Sequence, residues 1–200
     1  MNKPKFIFKV FLCLLVLSAA NIFAQSETKS QQNETCYEIV LQVLIASNDA
    51  GAKNAVPATL TNSVKRLRTL YAYSDYRVSA IFLQRTSNTI EYKSLLNDFN
   101  QNSDKAIPVF LDWQLRGLRK LPGQNTLQFD VFRFGARVPI TTTIKDDTGK
   151  ASTATVYDPI GITTSRLSLN ENEPTIVGSL ATSKSDELMF LVLTVTPVSN

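Results

Sequence analysis

The sequence predicts a mainly β protein: an antiparallel β-sandwich of about nine strands with a single α-helix over about residues 57–72. Short apolar runs that suit strands are separated by turn-forming residues every 8–12 positions or so, a spacing typical of sandwiches. Threonine, which favours strands, is abundant in the C-terminal half. Strands and helices do not alternate, so a parallel sheet with crossover helices is not expected.

The first 24 residues have the pattern of an export signal. Three lysines lie among the first nine residues, an apolar run covers 10–20, and the small residue Ala24 precedes Gln25. A second apolar run long enough to span a bilayer does not follow. We therefore expect a signal peptide at 1–24 and an exported bacterial protein, periplasmic or secreted, with no transmembrane segment in its mature part.

The rest of the chain divides into a short leader and one domain. Residues 25–36 are polar and lack periodicity, which predicts a disordered leader. Residues 37–200 are long enough to bury a core and are expected to form a single β-rich domain. Of 21 lysines and arginines, three lie in the signal segment, whereas none of the 17 acidic residues does. The mature chain is thus almost neutral, and a nucleic-acid partner is not expected.

Histidine is absent from the whole sequence, and this limits the possible chemistry. Nucleophiles activated by histidine and zinc sites ligated by histidine are excluded. Cys13 lies in the signal segment, so Cys36 is the one thiol expected in the mature chain, either as a small residue at a strand start or as a disulfide to another chain or a reactive thiol. We expect no enzyme activity, no catalytic or metal site and no cofactor.

The first predicted strand covers 37–46 and belongs in the centre of its sheet. Its alternate residues Tyr37, Ile39, Leu41, Val43 and Ile45 are all apolar, and half of the opposite face is apolar too. A strand that is apolar on both faces needs a covering layer on each side.

The one predicted helix follows a loop rich in turn formers. Pro57 suits a first helical turn. Apolar residues then recur at spacings of four, three and four, so they share one helical face. They are Leu60, Val64, Leu67 and Tyr71.

All further predicted elements are strands. They cover 77–85, 89–95, 108–115, 126–133, 138–145, 152–157, 161–169, 175–181 and 187–196. A short basic turn over 116–123 separates two of them. Asp146, Asp147 and Gly149 mark a hairpin turn; they lack the further oxygen ligands that a calcium loop would need.

Two clusters are candidate binding surfaces. The first joins Trp113 to Arg116, Arg119 and Lys120, which together could contact a phosphate, a lipid headgroup or an acidic glycan. The alternative is a core tryptophan followed by a solvated turn.

The second cluster consists of Tyr71, Tyr73 and Tyr76 at the helix exit. Tyrosines bind partners and sugars well because they offer a large contact area with little loss of entropy. They serve equally well as anchors where a helix meets a sheet. Asp112 and Asp130, on neighbouring predicted strands, are the one acid pair that could act in catalysis.

Residues 174–198 resemble the closing strands of the bacterial secretins, the outer-membrane channel subunits of type II and III secretion and of type IV pili. A strand bearing Gly178, a short polar loop at 184–186, and a Glu-Leu-apolar strand ending in Thr196-Pro197 follow in the order found in that family. The resemblance covers about 25 residues. It implies a secretin-like β-module or an envelope accessory of a secretion or pilus system, with no catalytic residues.

These observations lead to one preferred function and two alternatives. The preferred one is an exported, non-catalytic β-domain that binds another cell-envelope protein, by strand addition at an exposed sheet edge. The first alternative is a carbohydrate- or lipid-binding sandwich that uses the tyrosines, Trp113 and the basic turn. The second is a hydrolase that uses a carboxylate pair.

Overall fold

A computed structural model describes residues 35–48, 56–96, 108–145, 147, 149–182 and 186–198. The predicted signal peptide lies outside the described residues, as does the predicted leader apart from residues 35 and 36. Asp146 of the predicted hairpin turn also lies outside them.

The described residues form nine strands and one α-helix, which confirms the predicted fold class. The elements are β1 (Tyr37–Ser47), a 3₁₀ turn (Ala58–Leu60), α1 (Thr61–Leu70), β2 (Asp75–Thr86), β3 (Ile90–Leu96), β4 (Val109–Arg116), β5 (Arg119–Lys120), β6 (Thr126–Lys145), β7 (Ala151–Asn170), β8 (Thr175–Ala181) and β9 (Glu187–Pro197). Every strand pairing is antiparallel.

The strands form two sheets. The first sheet has the order β2-β1-β9-β8, so β1 is central, as its two apolar faces predict. The second sheet has β6 in its middle: β4 and the two-residue β5 pair with one edge of β6, and β7 pairs with the other; β3 lies beyond β4.

The main core lies between the inner faces of the two sheets. Ile39, Leu41 and Val43 of β1 are completely buried there, together with Met189, Leu191 and Leu193 of β9. The second sheet contributes mostly aromatic and leucine side chains, namely Leu111, Trp113, Leu115, Leu127, Phe129, Phe132 and Phe134. Tight packing of these two apolar faces makes the sandwich.

The helix covers the opposite face of the first sheet. Leu60, Val64 and Leu67 are almost fully buried and pack in a second cluster with Phe190 and Val192 of β9. The molecule therefore has three layers: α1, the first sheet and the second sheet. No described element covers the outer face of the second sheet.

Two predicted breaks between strands were wrong. The predicted strands 126–133 and 138–145 are one strand, β6, and 152–157 and 161–169 are likewise one strand, β7. Pro139 lies inside β6 and Pro159 inside β7, where each strand has one neighbour in the described structure, and proline is tolerated in such edge segments. The helix predicted over about 57–72 is confirmed as the 3₁₀ turn Ala58–Leu60 followed by α1, which ends at Leu70. The basic turn includes β5.

Candidate functional site

Trp113 lies in the main core and not on the surface. Its side chain is 1% exposed and packs at 6.0 Å from the ring of Tyr92 on β3. Its indole nitrogen has no hydrogen-bond partner in the described part of the chain. Trp113 therefore contributes packing, and it cannot touch a ligand outside the protein without opening the sandwich.

The three basic residues of the same cluster are exposed, but each faces a carboxylate on a neighbouring strand or turn. The pairs are Arg116 Nη2 to Glu91 Oε1 at 2.6 Å, Arg119 Nη2 to Asp130 Oδ1 at 2.7 Å, and Lys120 Nζ to Glu171 Oε1 at 2.8 Å. The hydrogen bond from Arg116 lowers the pKa of Glu91, and the bond to Glu171 raises the pKa of Lys120. Their charge is thus already balanced within the fold.

The tyrosine cluster joins the helix exit to the first sheet. The ring of Tyr71 meets Phe190 edge to face at 4.9 Å between centroids and stacks with Tyr73 at 6.5 Å. Tyr76 is 1% exposed and lies 6.4 Å from Phe190. The Arg68 guanidinium lies 5.6 Å from the Tyr76 ring centroid. This arrangement is that of an anchor, with only Tyr71 and Tyr73 reaching the surface.

Asp112 and Asp130 do not form a pair. Asp112 lies opposite Gly135 on β6, five residues beyond Asp130, which places them about 16 Å apart along the strand. Asp130 instead accepts the hydrogen bond from Arg119. At the predicted hairpin turn, Gly149 has the positive φ of +80° that such a turn needs. No group of three metal-ligating side chains occurs among the described residues.

The first surface that sequence analysis missed is the distal part of the β6–β7 hairpin, which we call the arm: residues 139–145 and 151–157. β4 pairs with β6 only over residues 131–137, so beyond that point β6 has β7 as its one partner in the described structure. Every arm side chain except Pro139 and Ala154 is exposed. The arm is a two-stranded ribbon that projects past the sandwich.

The arm carries an apolar stripe on the face that continues the core. Strand alternation places Ile140 and Ile144 on the same face as buried Val138, and Val156 lies opposite Ile140. Ile140, Ile144 and Val156 are 42%, 49% and 52% exposed. The alternate apolar residues of β6 that face the core therefore continue into the arm, where their side chains are exposed.

The second missed surface is a shallow depression on the outer face of the second sheet, which we call the arginine trough. It spans β3, β4, β6 and β7 and consists of two adjoining hollows of about 550 and 380 Å³. Both hollows are lined by Asp112, Arg133 and Arg137. Arg133 and Arg137 have no ion pair or side-chain hydrogen bond in the described part of the chain.

The floor of the trough is made by two glycines that face each other across β6 and β7, Gly135 and Gly161. A Cβ on Gly161 would lie 2.7 Å from the carbonyl oxygen of Phe134, so the backbones approach closely there. A Cβ on Gly135 would lie 2.8 Å from Oδ1 of Asp112. The Asp112 carboxylate therefore lies beside the bare backbone at the centre of the trough.

Comparisons with known proteins add two distant likenesses. No family model and no curated protein sequence matches this chain. A cryo-EM structure of the Salmonella SPI-1 type III secretion injectisome secretin InvG matches with 10% identity and a TM-score of 0.25, covering 83% of this chain and 65% of that chain. An atomic model of the Salmonella basal body proteins InvG, PrgH and PrgK matches with the same identity, TM-score and coverage of this chain, and with 46% of that chain.

This chain spans less than two thirds of the length of either matched chain. A TM-score of 0.25 is too low to define a shared fold, so the residues themselves carry the functional argument. No helix in the described ranges combines the length and apolarity needed to cross a membrane.

Proposed function

We propose that the protein is an exported, non-catalytic β-domain that binds another cell-envelope protein through its arm. The observation that carries this proposal is the projecting ribbon, whose outer backbone edges pair with no further strand among the described residues and whose apolar stripe at Ile140, Ile144 and Val156 is exposed. Isolated two-stranded ribbons are only marginally stable in water. A partner that covers this one would stabilise it.

Strand addition is the mode of binding that suits the arm. Unpaired N–H and C=O groups along a strand edge are a template for a further strand. Natural proteins block such edges with charged residues, yet residues 139–144 and 151–157 contain none. The partner segment is therefore an extended chain with aliphatic residues at alternate positions, which would lie over the apolar stripe.

Other exposed segments offer less to a partner strand. The terminal strand β9 lies between β1 and β8 and is buried along most of its length, so both of its edges are already paired. Gly178 of that stretch packs against the side chain of Ile162. Binding to the envelope is supported by the signal pattern of residues 1–24 and by the resemblance of 174–198 to secretins, an envelope family.

Site-specific photocrosslinking in cells tests this function. A crosslinking residue placed at Ile144 or Val156 should trap one envelope protein in a fixed ratio. The same residue at Leu70, which is 66% exposed on the helix, should trap none. A Thr143→Lys substitution should abolish the adduct by placing a charge on the arm, whereas Thr69→Lys on the helix should leave it unchanged. Equal labelling from Leu70 and Ile144 would contradict the proposal.

A further inference from the structure

We propose that the arginine trough is a second binding site, which takes an acidic polysaccharide of uronate type. This inference goes beyond the proposed protein-binding function and uses a different face of the molecule. It rests on charge, on the flat floor and on the groups that border the floor.

The charge of the trough favours an anion. Arg133 and Arg137 lie two residues on either side of Gly135 on β6, about 13 Å apart along the strand. Arg85, Arg116 and Arg119 each face a carboxylate, whereas Arg133 and Arg137 form no ion pair within the described structure. Arg66, Arg68 and Arg166 are likewise exposed without an ion pair there, but they do not line the trough. The guanidinium groups of Arg133 and Arg137 therefore remain available to carboxylates, which arginine binds through two parallel hydrogen bonds.

The floor of the trough favours a flat ligand. Gly135 and Gly161 have no side chains, but the Asp112 carboxylate lies over Gly135, so a ring can lie directly on the backbone at Gly161, beside that carboxylate. The close approach of Gly161 to the Phe134 carbonyl shows that this floor depends on glycine. The hollows have the volume of ordinary small-ligand sites, and together they match a short oligosaccharide.

An aromatic residue borders the floor. Phe110 lies opposite Arg137 in the β4–β6 register and is 41% exposed. Tyr157 meets it edge to face at 5.3 Å, and the Tyr157 hydroxyl donates to the carbonyl of Pro108 at 3.2 Å. The Phe110 ring is thus held in place beside an unpaired arginine. An aromatic surface of this kind packs against the apolar C–H face of a sugar ring.

Asp112 makes the trough selective for a uronate over an acidic peptide. The carboxylate at the centre of the trough accepts hydrogen bonds from sugar hydroxyls, whereas the side chains of an acidic peptide such as polyglutamate offer only carboxylates, which it repels. A uronate polymer presents hydroxyls between its carboxylates, so both requirements are met. A peptide strand also cannot pair with the face of a sheet, because backbone hydrogen bonds lie in the sheet plane.

Calorimetric titration of the mature protein at low salt tests the site with three probes: hexagalacturonate, neutral galactohexaose and hexaglutamate. We expect hexagalacturonate to bind at least about tenfold more tightly than the other two. Arg133→Gln and Arg137→Gln should each weaken it by about tenfold or more, since each removes charge-assisted hydrogen bonds. Arg85→Gln, on the first sheet and paired with Glu38, should have no effect.

Three results would overturn the inference: no binding of hexagalacturonate, equal binding of hexaglutamate, or unchanged binding after both arginine substitutions. Thermal unfolding confirms that each variant is folded. The Arg133→Gln and Arg137→Gln variants should still give the crosslink from Ile144, so failure at the trough and failure at the arm are distinguished.

Discussion

Arg77 and Glu187 form a buried ion pair that reaches across a strand lying between them. Arg77 is on β2, Glu187 begins β9, and β1 separates these two strands in the first sheet. Nη2 and Oε1 are 3.5 Å apart, and both side chains are more than nine-tenths buried. The pair ties both neighbours of β1 together at the end of the sheet where Ser47 is buried beneath them.

Replacing one member of this pair should destabilise the protein strongly. Arg77→Met removes one charged partner of the buried Glu187 carboxylate, and breaking a buried pair costs about 3–5 kcal/mol in comparable cases. Urea unfolding measures the loss. The control is Arg85→Met, which removes the exposed pair with Glu38 and should cost less than about 1 kcal/mol. Equal losses in the two variants would show that the buried pair has no special role.

Two leucines of α1 should respond very differently to truncation. Leu67 is 1% exposed against the first sheet, whereas Leu70 is 66% exposed. Leu67→Ala removes buried methyl groups and leaves a cavity, so it should lower the free energy of unfolding by about 2–5 kcal/mol. Leu70→Ala should change it by less than about 0.5 kcal/mol. Thermal or urea unfolding of both variants measures the change. Similar losses of unfolding free energy in the two variants would show that the helix does not pack on the first sheet through Leu67.

Tyr76 should make the protein sensitive to alkali. Burial raises the pKa of its phenol above the ordinary value of 10.0, with Arg68 acting in the opposite direction. Above the unfolded pKa the unfolded chain loses this proton while the folded chain keeps it, so stability falls as pH rises toward the folded pKa. The contribution is fully present below about pH 10.

Tyr76→Phe tests this directly. The hydroxyl has no hydrogen-bond partner in the described structure, so its removal at pH 7 should leave stability unchanged or raise it by up to about 1 kcal/mol. Between neutral pH and about pH 11, the variant should lose less stability than the wild type. Urea midpoints across this range provide the comparison; parallel curves would show that the phenol titrates alike in both states.

The two floor glycines of the trough should tolerate alanine unequally. Alanine at 161 meets the Phe134 carbonyl, which belongs to the backbone and cannot move alone, so we expect a loss of about 1–3 kcal/mol. Alanine at 135 meets only the Asp112 side chain, which can rotate away, and the loss should be smaller. Fluorescence of the single tryptophan, Trp113, reports unfolding in both variants. A larger loss at 135 would contradict this geometry.

Local patterns in the sequence predict the fold class because, in this chain, alternating apolar residues form strands and apolar residues spaced three or four apart form the helix. The alternating residues of β1 and the spacing of Leu60, Val64 and Leu67 both face buried surfaces, as expected. The length of β6 and β7 was missed: gaps were predicted at 134–137 and at 158–160, the latter including Pro159, and the structure has strand through both. Whether a proline ends a strand depends on whether a neighbour occupies its N–H side, and that neighbour is distant in sequence.

The two missed surfaces depend on where strands stop relative to one another. Ile140 and Ile144 continue the alternation of apolar residues in β6, so the sequence alone does not distinguish them from core residues. They are exposed because they lie beyond residue 137, where the pairing of β6 with β4 ends. Arg133, Gly135 and Arg137 share a strand face, a signal that could have been read from their alternate spacing. Gly161 lies opposite Gly135 because of the β6–β7 register, and this register could not be predicted from the sequence.

The pairing of β1 with β9 has a kinetic consequence. Residues 37–47 form their ladder with 187–197, so the centre of the first sheet joins the two ends of the domain. During synthesis the β1 edge that β9 will occupy stays open until β9 has emerged. Contacts of such sequence separation slow folding and prolong the exposure of aggregation-prone strands. The mostly apolar β1 is therefore the segment that a chaperone would cover while the first sheet is incomplete.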